Sequence, residues 1–285
     1  MLIKNIYKIL LILVIKLFFD ILDIIKNKKI YRKYCQLNII NDILKKNGKN
    51  IYKYNIEYIK KIKKVVYSVI IGQYDKISNF NKQKGYNYFL FSDIYYKNTN
   101  WTIIPISKLI KKKKISKKKM TRYFKLFPHL FFKYYELSIY LDASYVIKGD
   151  LNELLLRALN PSFDLYFLQH YGGYKVFKEF SAVIHHKKDT KEIINKVKKR
   201  YIKEKFPDNL GLTENCIIIR KHNNKKIIKL MKFWWNEIKN YSYRDQLSLN
   251  YAIWKSHLHL KIYYLSKKFI KNYFSYRQHS NIIKF

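Results

Sequence analysis

At 285 residues, with 48% hydrophobic and 18% aromatic side chains, the chain can build one α/β domain with a large core plus a short appendage. Seven glycines with no Gly-rich spacing argue against a P-loop or dinucleotide fingerprint, and two cysteines in unlike contexts, Cys35 and Cys216, cannot form a disulfide framework or a cysteine-type zinc site. The formal net charge of +40 attracts polyanions of any kind, but only seven of the 59 basic residues are Arg. The rest are Lys spread beside Ile, Asn and Tyr, a pattern of compositional drift rather than of a base-reading surface, which leans on bidentate Arg.

Residues 6–25 (IYKILLILVIKLFFDILDII) are the most apolar stretch, interrupted by Lys8, Lys16, Asp20 and Asp23. A spanning helix needs about 20 mostly apolar residues, and a mid-span lysine costs about 2.5–3.5 kcal/mol. Three readings fit: a weak signal anchor, an amphipathic helix lying on a membrane, and a helix packed on the following domain. Association with an anionic membrane surface, on its cytoplasmic face, is favoured. No small-residue cleavage site of a removed signal peptide follows. Residues 26–64 are Lys- and Asn-rich and read as a linker. The expected division is an N-terminal apolar and basic segment, 1–61, and a domain, 62–285.

From residue 65 the texture changes. The β-branched run 65–71, closed by Gly72, predicts a buried strand. Strands are expected again at 86–91 and 101–106, then one helix over 117–136. Residues 137–147 (LSIYLDASYVI) read as a strand that halts at an acidic residue and resumes. A helix at 151–159, a strand at 163–168, a helix at 191–205 and a strand at 216–219 follow. Helices at 227–241 and 246–254 and a strand at 262–265 complete the series. Strands alternating with helices give an α/β fold with a mostly parallel central sheet flanked by helices. Ligands of such sheets bind beyond the carboxyl ends of the strands, so the polar residues there are the ones to inspect.

Asp142 is the sharpest of these. A lone carboxylate ends an apolar strand and is followed by the small residues Ala143 and Ser144, which leaves room for a divalent cation and a diphosphate. It also reads as a plain turn cap. Lys118, Arg122 and Lys125 share one helix face and suit phosphates, or simply water. Glu214–Asn215 precede a buried strand, and Asp245–Gln246 open a helix. Both pairs suit sugar hydroxyls or simple capping.

The order VVYSVIIGQYD, YNYFLFSD, Trp101, TRYFKLFPHLFF, YYELSIYLDAS, FPDNLGLTENCIIIRKHN and the segment Trp234 to Lys255 resembles a glycosyltransferase-like domain of plant mucilage-type and bacterial surface-polysaccharide proteins, over about residues 62–282. More distantly the chain is similar to family-eight glycosyltransferases, which have the GT-A fold. The resemblance implies a GT-A-like, metal-assisted transferase of retaining stereochemistry, using a nucleotide-sugar donor, a saccharide or glycoconjugate acceptor and Mn²⁺ or Mg²⁺. It implies that Asp142 and His279 are metal ligands, that Arg122, Lys125, Ser144 and Asn215 bind the donor, and that Asp245 and Gln246 serve catalysis at the donor sugar. Ser144 stands at the second acidic position of the metal motif, where relatives of this domain more often carry Asn. That departure leaves a catalytically inactive module at a membrane as one alternative. Charge alone suggests the other, a nucleic-acid-binding protein, although no specific nucleic acid is expected.

Overall fold

The computed structural model describes residues 57–72, 75–108, 115–158, 163–170 and 175–278. The apolar segment 6–25 and His279 lie outside these residues. Among the described residues no helix is long and apolar enough to cross a membrane.

The sheet is built outward from β1 (Lys64–Ile70), whose seven residues are all buried. A strand covered on both faces reads as a continuous apolar run, which is why KVVYSVI does not alternate. Strands β2 (Tyr86–Ser92) and β3 (Thr102–Pro105) add in parallel on one side, and β4 (Leu137–Leu141) adds in parallel on the other. Beyond β4 lie β7 (Thr213–Arg220), β6 (Leu165–Gln169) and β8 (Ile262–Leu265), giving the order β3-β2-β1-β4-β7-β6-β8. Only β7 runs against its neighbours, so the sheet is mostly parallel as expected. This antiparallel strand brings its N-terminal end to the carboxyl end of β4.

The helices are α1 (Lys117–Leu126), α2 (Leu151–Ala158), α3 (Val176–His185), α4 (Lys191–Lys203), α5 (Lys225–Asn240), α6 (Asp245–Ser256) and the short α7 (Lys267–Ile270). Side-chain acceptors cap α1, α4 and α5 through Ser116, Thr190 and Asn224. The long helix expected over 117–136 ends at Leu126. Pro128 disfavours helical geometry at the residue before it, and the chain continues as a 3₁₀ turn over Pro128–Leu130. Helix α3 is not among the elements expected from the sequence, although Val176, Phe180 and Val183 face the core at helical spacing.

Alternation along the strands splits the core in two. Ile139, Leu141, Ile217 and Ile219 pack on one face against Leu151, Leu154 and Leu155 of α2. Tyr67, Tyr140 and Ile218 pack on the other against Phe124 of α1, Trp234 of α5 and Leu249 of α6. The strand expected to resume after Asp142 does so in a different sheet. The Tyr145 amide donates to the Asp142 carbonyl at 2.9 Å, turning the chain out of the main sheet. Residues Tyr145–Ile147 form β5, paired antiparallel with β9 (Phe274–Tyr276). Gly149 permits the close approach, since a Cβ there would meet the Asn272 carbonyl oxygen at 2.5 Å.

Candidate functional site

One cleft opens at the carboxyl end of β4, where an α/β sheet binds its ligands. Eight residues singled out from the sequence line it: Arg122, Lys125, Asp142, Ser144, Glu214, Asn215, Asp245 and Gln246. They come from α1, the β4–β5 turn, the start of β7 and the start of α6. A further candidate, His279, lies outside the described residues. Tyr145, Cys216, Arg244 and Tyr276 also line the cleft and were not singled out. The first three are chain neighbours of residues that were, so contiguity was the available signal. Tyr276 arrives through the β5–β9 pairing, which no local pattern announces.

Asp142 is the open group of the cleft, with 36% of its side chain exposed. Its amide donates to the Cys216 carbonyl at 2.8 Å, which fixes the turn to β7. The Tyr140 hydroxyl donates to Asp142 Oδ1. Burial, with the Asp142 charge added, raises the Tyr140 phenol well above its usual value, so it stays protonated and keeps donating. Lys125 Nζ lies 4.0 Å from the same carboxylate oxygen.

Opposite Asp142 the charges are closed on one another. The Lys125 side chain is only 2% exposed, and its Nζ donates to Asp245 Oδ2 at 2.7 Å. Arg122 Nε sits 3.4 Å from that same oxygen, an ion-pair distance without hydrogen-bond alignment. Burial by itself would raise the Asp245 carboxyl, but Lys125 and then Arg122 outweigh it and hold the group far below the usual aspartate range. The basic helix face read from the sequence is therefore split. Lys118 meets Tyr243 at the surface, whereas Lys125 is inside and already paired. Asp245 does not cap α6, because its carboxylate goes to the two cations. Gln246 Oε1 accepts from Arg244 Nη2 at 2.8 Å.

Beneath this pair lies a second layer. Arg220, fully buried at the end of β7, donates to the Lys125 carbonyl and to the Tyr67 hydroxyl. Tyr67 in turn donates to the Lys125 carbonyl at 2.6 Å. The last turn of α1 is thus tied to the sheet, and Lys125 with it.

Asn215 supplies an unmatched donor. Its Oδ1 accepts from Thr213 Oγ1 at 2.7 Å, while its Nδ2 is buried with no hydrogen-bond partner. An orphaned buried amide costs about 1–3 kcal/mol, so its presence on a cleft wall points to a ligand oxygen. Cys216 beside it is inert as a nucleophile, because burial, reinforced by Asp142, pushes its thiol up to about 12. His170, just beyond β6, is not among the residues lining the cleft.

The fold and the cleft define an α/β domain with a polar, charged cleft at its strand ends. The family model "TOD1/MUCI70, glycosyltransferase-like domain" matches residues 24–284, and the chain belongs to that family. No curated protein matches it. Among solved structures, the apo form of the WbbM bifunctional glycosyltransferase is 13% identical at a TM-score of 0.41, covering 72% of this chain and 39% of that one. Apo mouse xyloside xylosyltransferase 1 is 10% identical at a TM-score of 0.40, covering 70% and 84%.

Proposed function

We propose that this protein is a GT-A-like hexosyltransferase that moves a sugar from a nucleoside-diphosphate sugar to a hydroxyl of a saccharide or glycoconjugate, in polysaccharide biosynthesis. The observation that carries the reading is the pairing of an open carboxylate, Asp142, with an orphaned buried amide, Asn215, at the strand ends. Lys125 and Arg122 stand across from them, held by Asp245. Retention of anomeric configuration is part of the proposal on the family-eight resemblance alone.

In the transfer the acceptor oxygen bonds to the anomeric carbon and the bond from that carbon to the diphosphate oxygen breaks. The electron pair leaves on the diphosphate, and the acceptor proton passes to it. Charge therefore builds on the leaving group. Lys125 and Arg122 face that charge from a partly buried position, where fixed cations act more strongly than in water. Asp245 keeps them in place without needing to reorganise. Asn215 Nδ2 donates to a ligand oxygen, and Gln246 is placed to hold a hydroxyl of the donor sugar.

Among the described residues no group of three His, Cys, Asp or Glu side chains is arranged to hold a metal. Asp142 is one hard oxygen ligand, Ser144 adds no charge, and the Lys125 ammonium lies 4.0 Å away. Such a set would give a Mg²⁺ or Mn²⁺ ion one charged protein oxygen rather than a protein cage. Asp142 would hold it, with His279 as the second expected ligand. Bound there, the ion would supply Lewis-acid neutralisation of the diphosphate.

For location, the composition of residues 6–64 supports peripheral association with an anionic membrane, on its cytoplasmic face.

Calorimetry with a set of nucleoside diphosphates, with and without Mn²⁺, tests the reading. At least one is expected to bind, more tightly with the ion, and Asp142→Asn is expected to remove the ion-dependent part. Absence of any nucleotide binding sinks the transferase reading, and ion-independent binding sinks the metal part.

A further inference from the structure

The cleft has two chemically unlike sides. α1 and α6 pack on the sheet face of Tyr67, Tyr140 and Ile218, and they bring Arg122, Lys125 and Asp245. β5 and β9 belong to the opposite face, that of Ile139, Leu141 and Ile217, and they bring Tyr145 and Tyr276. These two tyrosines are directly opposed in the β5–β9 register, so their rings leave the small sheet on the same side. The ring centroids are 5.5 Å apart with planes at 63°. Tyr276 is 58% exposed, an aromatic surface left open to water on the wall of a polar cleft. Glu214 lines the same cleft and meets Lys267 Nζ through Oε1 at 2.5 Å. A carboxylate has a second oxygen with which to accept hydroxyl protons.

The side carrying the cations suits an anionic diphosphate. The other side offers aromatic rings and the second oxygen of a carboxylate whose charge is already matched by Lys267, which suits a neutral polyol. A pyranose has both matching features, a C–H face that is apolar and a rim of hydroxyl donors. We propose that Tyr276 and Tyr145, with Glu214, form the acceptor subsite, which takes a neutral pyranose of a saccharide chain. The acceptor role rests on the transferase reading, whereas pyranose binding itself does not.

The strap that carries Tyr276 is fastened next to it. The Arg277 amide donates to the Ser144 carbonyl at 2.7 Å, and its guanidinium meets Asp75 at 2.8 Å. The wall is thereby tied to the turn that holds Asp142.

The test uses the full chain and two separate readouts. Saturation-transfer NMR with a panel of methyl hexopyranosides reports sugar binding without any aglycone to stack. Calorimetry with nucleoside diphosphates reports the donor side. Tyr276→Ala should weaken the best methyl glycoside by about tenfold while leaving nucleotide affinity unchanged, and Tyr276→Phe, which keeps the ring, should retain both. Equal glycoside binding by wild type and Tyr276→Ala overturns the proposal, as does no glycoside binding by the wild type. Loss of nucleotide affinity in Tyr276→Ala also overturns it, since the ring would then serve the donor's base. A wild type that binds glycosides through Tyr276 but no nucleotide upholds the pyranose wall and contradicts the transferase reading instead.

Discussion

Two of the cleft's carboxylates, Asp245 and Asp142, sit in opposite circumstances. Asp245 is buried between Lys125 and Arg122, and the carbonyl of Lys125 is tied down in turn by Tyr67 and Arg220. Asp142 is over a third exposed; its side chain accepts a hydrogen bond from Tyr140 and lies 4.0 Å from Lys125 Nζ. A charge satisfied by its own protein contributes order, whereas a charge left open is available to a ligand. The α1–α6 corner is accordingly the rigid half of the site and the β4–β5 turn the receptive half. Variants that affect stability in one half should affect binding in the other.

The largest effect on stability is expected at Asp245. Truncation leaves two cations without their counter-charge in a buried place, so Asp245→Ala should cost about 3–5 kcal/mol. Urea unfolding followed by circular dichroism measures it. A loss below about 1 kcal/mol would mean that the corner is not the rigid half.

Tyr67→Phe is milder. It removes the hydroxyl that donates to the Lys125 carbonyl and accepts from Arg220, two hydrogen bonds lost at a cost of about 1–3 kcal/mol, while Arg220 keeps its own bond to that carbonyl. Catalytic rate should fall with it, because Lys125 keeps only one of the two ties to its carbonyl, while KM for the donor changes less.

How much of this contrast was legible in the sequence follows from where its causes lie. Asp142 could be read directly, because an apolar strand that ends on a carboxylate is a local pattern. The helix α1 was recognised but overrun, since its apolar residues continue past Leu126 and only Pro128 marks the stop. The pairing of Lys125 with Asp245 joins positions 120 residues apart and leaves no local trace. Lys125 therefore looked like part of an open basic face. Tyr276 was hidden for the same reason, because its place depends on β9 pairing with a strand at 145–147. Asn215 was visible as a polar residue before a buried strand, but its unmatched amide emerges only once Thr213 occupies its carbonyl oxygen.

Acid should act on the layer beneath that corner, where Arg220 lies near two histidines. Burial, with Arg220 adding, lowers both His129 and His222 to about 4 from the ordinary value near 6.5. The unfolded chain takes up those protons first, so the stability that depends on neutral histidine is full above about pH 6.5 and is lost as pH falls toward 4. Below that, Asp245 adds its own loss, because its carboxyl is depressed in the fold. Urea midpoints measured between pH 7.5 and 4.5 should hold to about pH 6.5 and then fall. His222→Gln, which can still donate to the Phe132 carbonyl, should flatten the slope. An unchanged slope would put the acid sensitivity elsewhere.

The smallest stability effect belongs to the receptive half. Asp142→Asn keeps the shape of the turn and removes one partly exposed charge, so stability should shift by less than about 1 kcal/mol. A shift near that expected for Asp245→Ala would erase the distinction between the two carboxylates.

The most direct test of the account is turnover by that same variant. Wild type and Asp142→Asn are offered a panel of nucleotide sugars with Mn²⁺ or Mg²⁺ and an oligosaccharide mixture, and released nucleoside diphosphate is scored. The wild type should release it from at least one donor, and Asp142→Asn, folded to the same melting temperature, should lose at least about a hundredfold in rate. Equal release by the two proteins would contradict the assignment of the open carboxylate to the donor site.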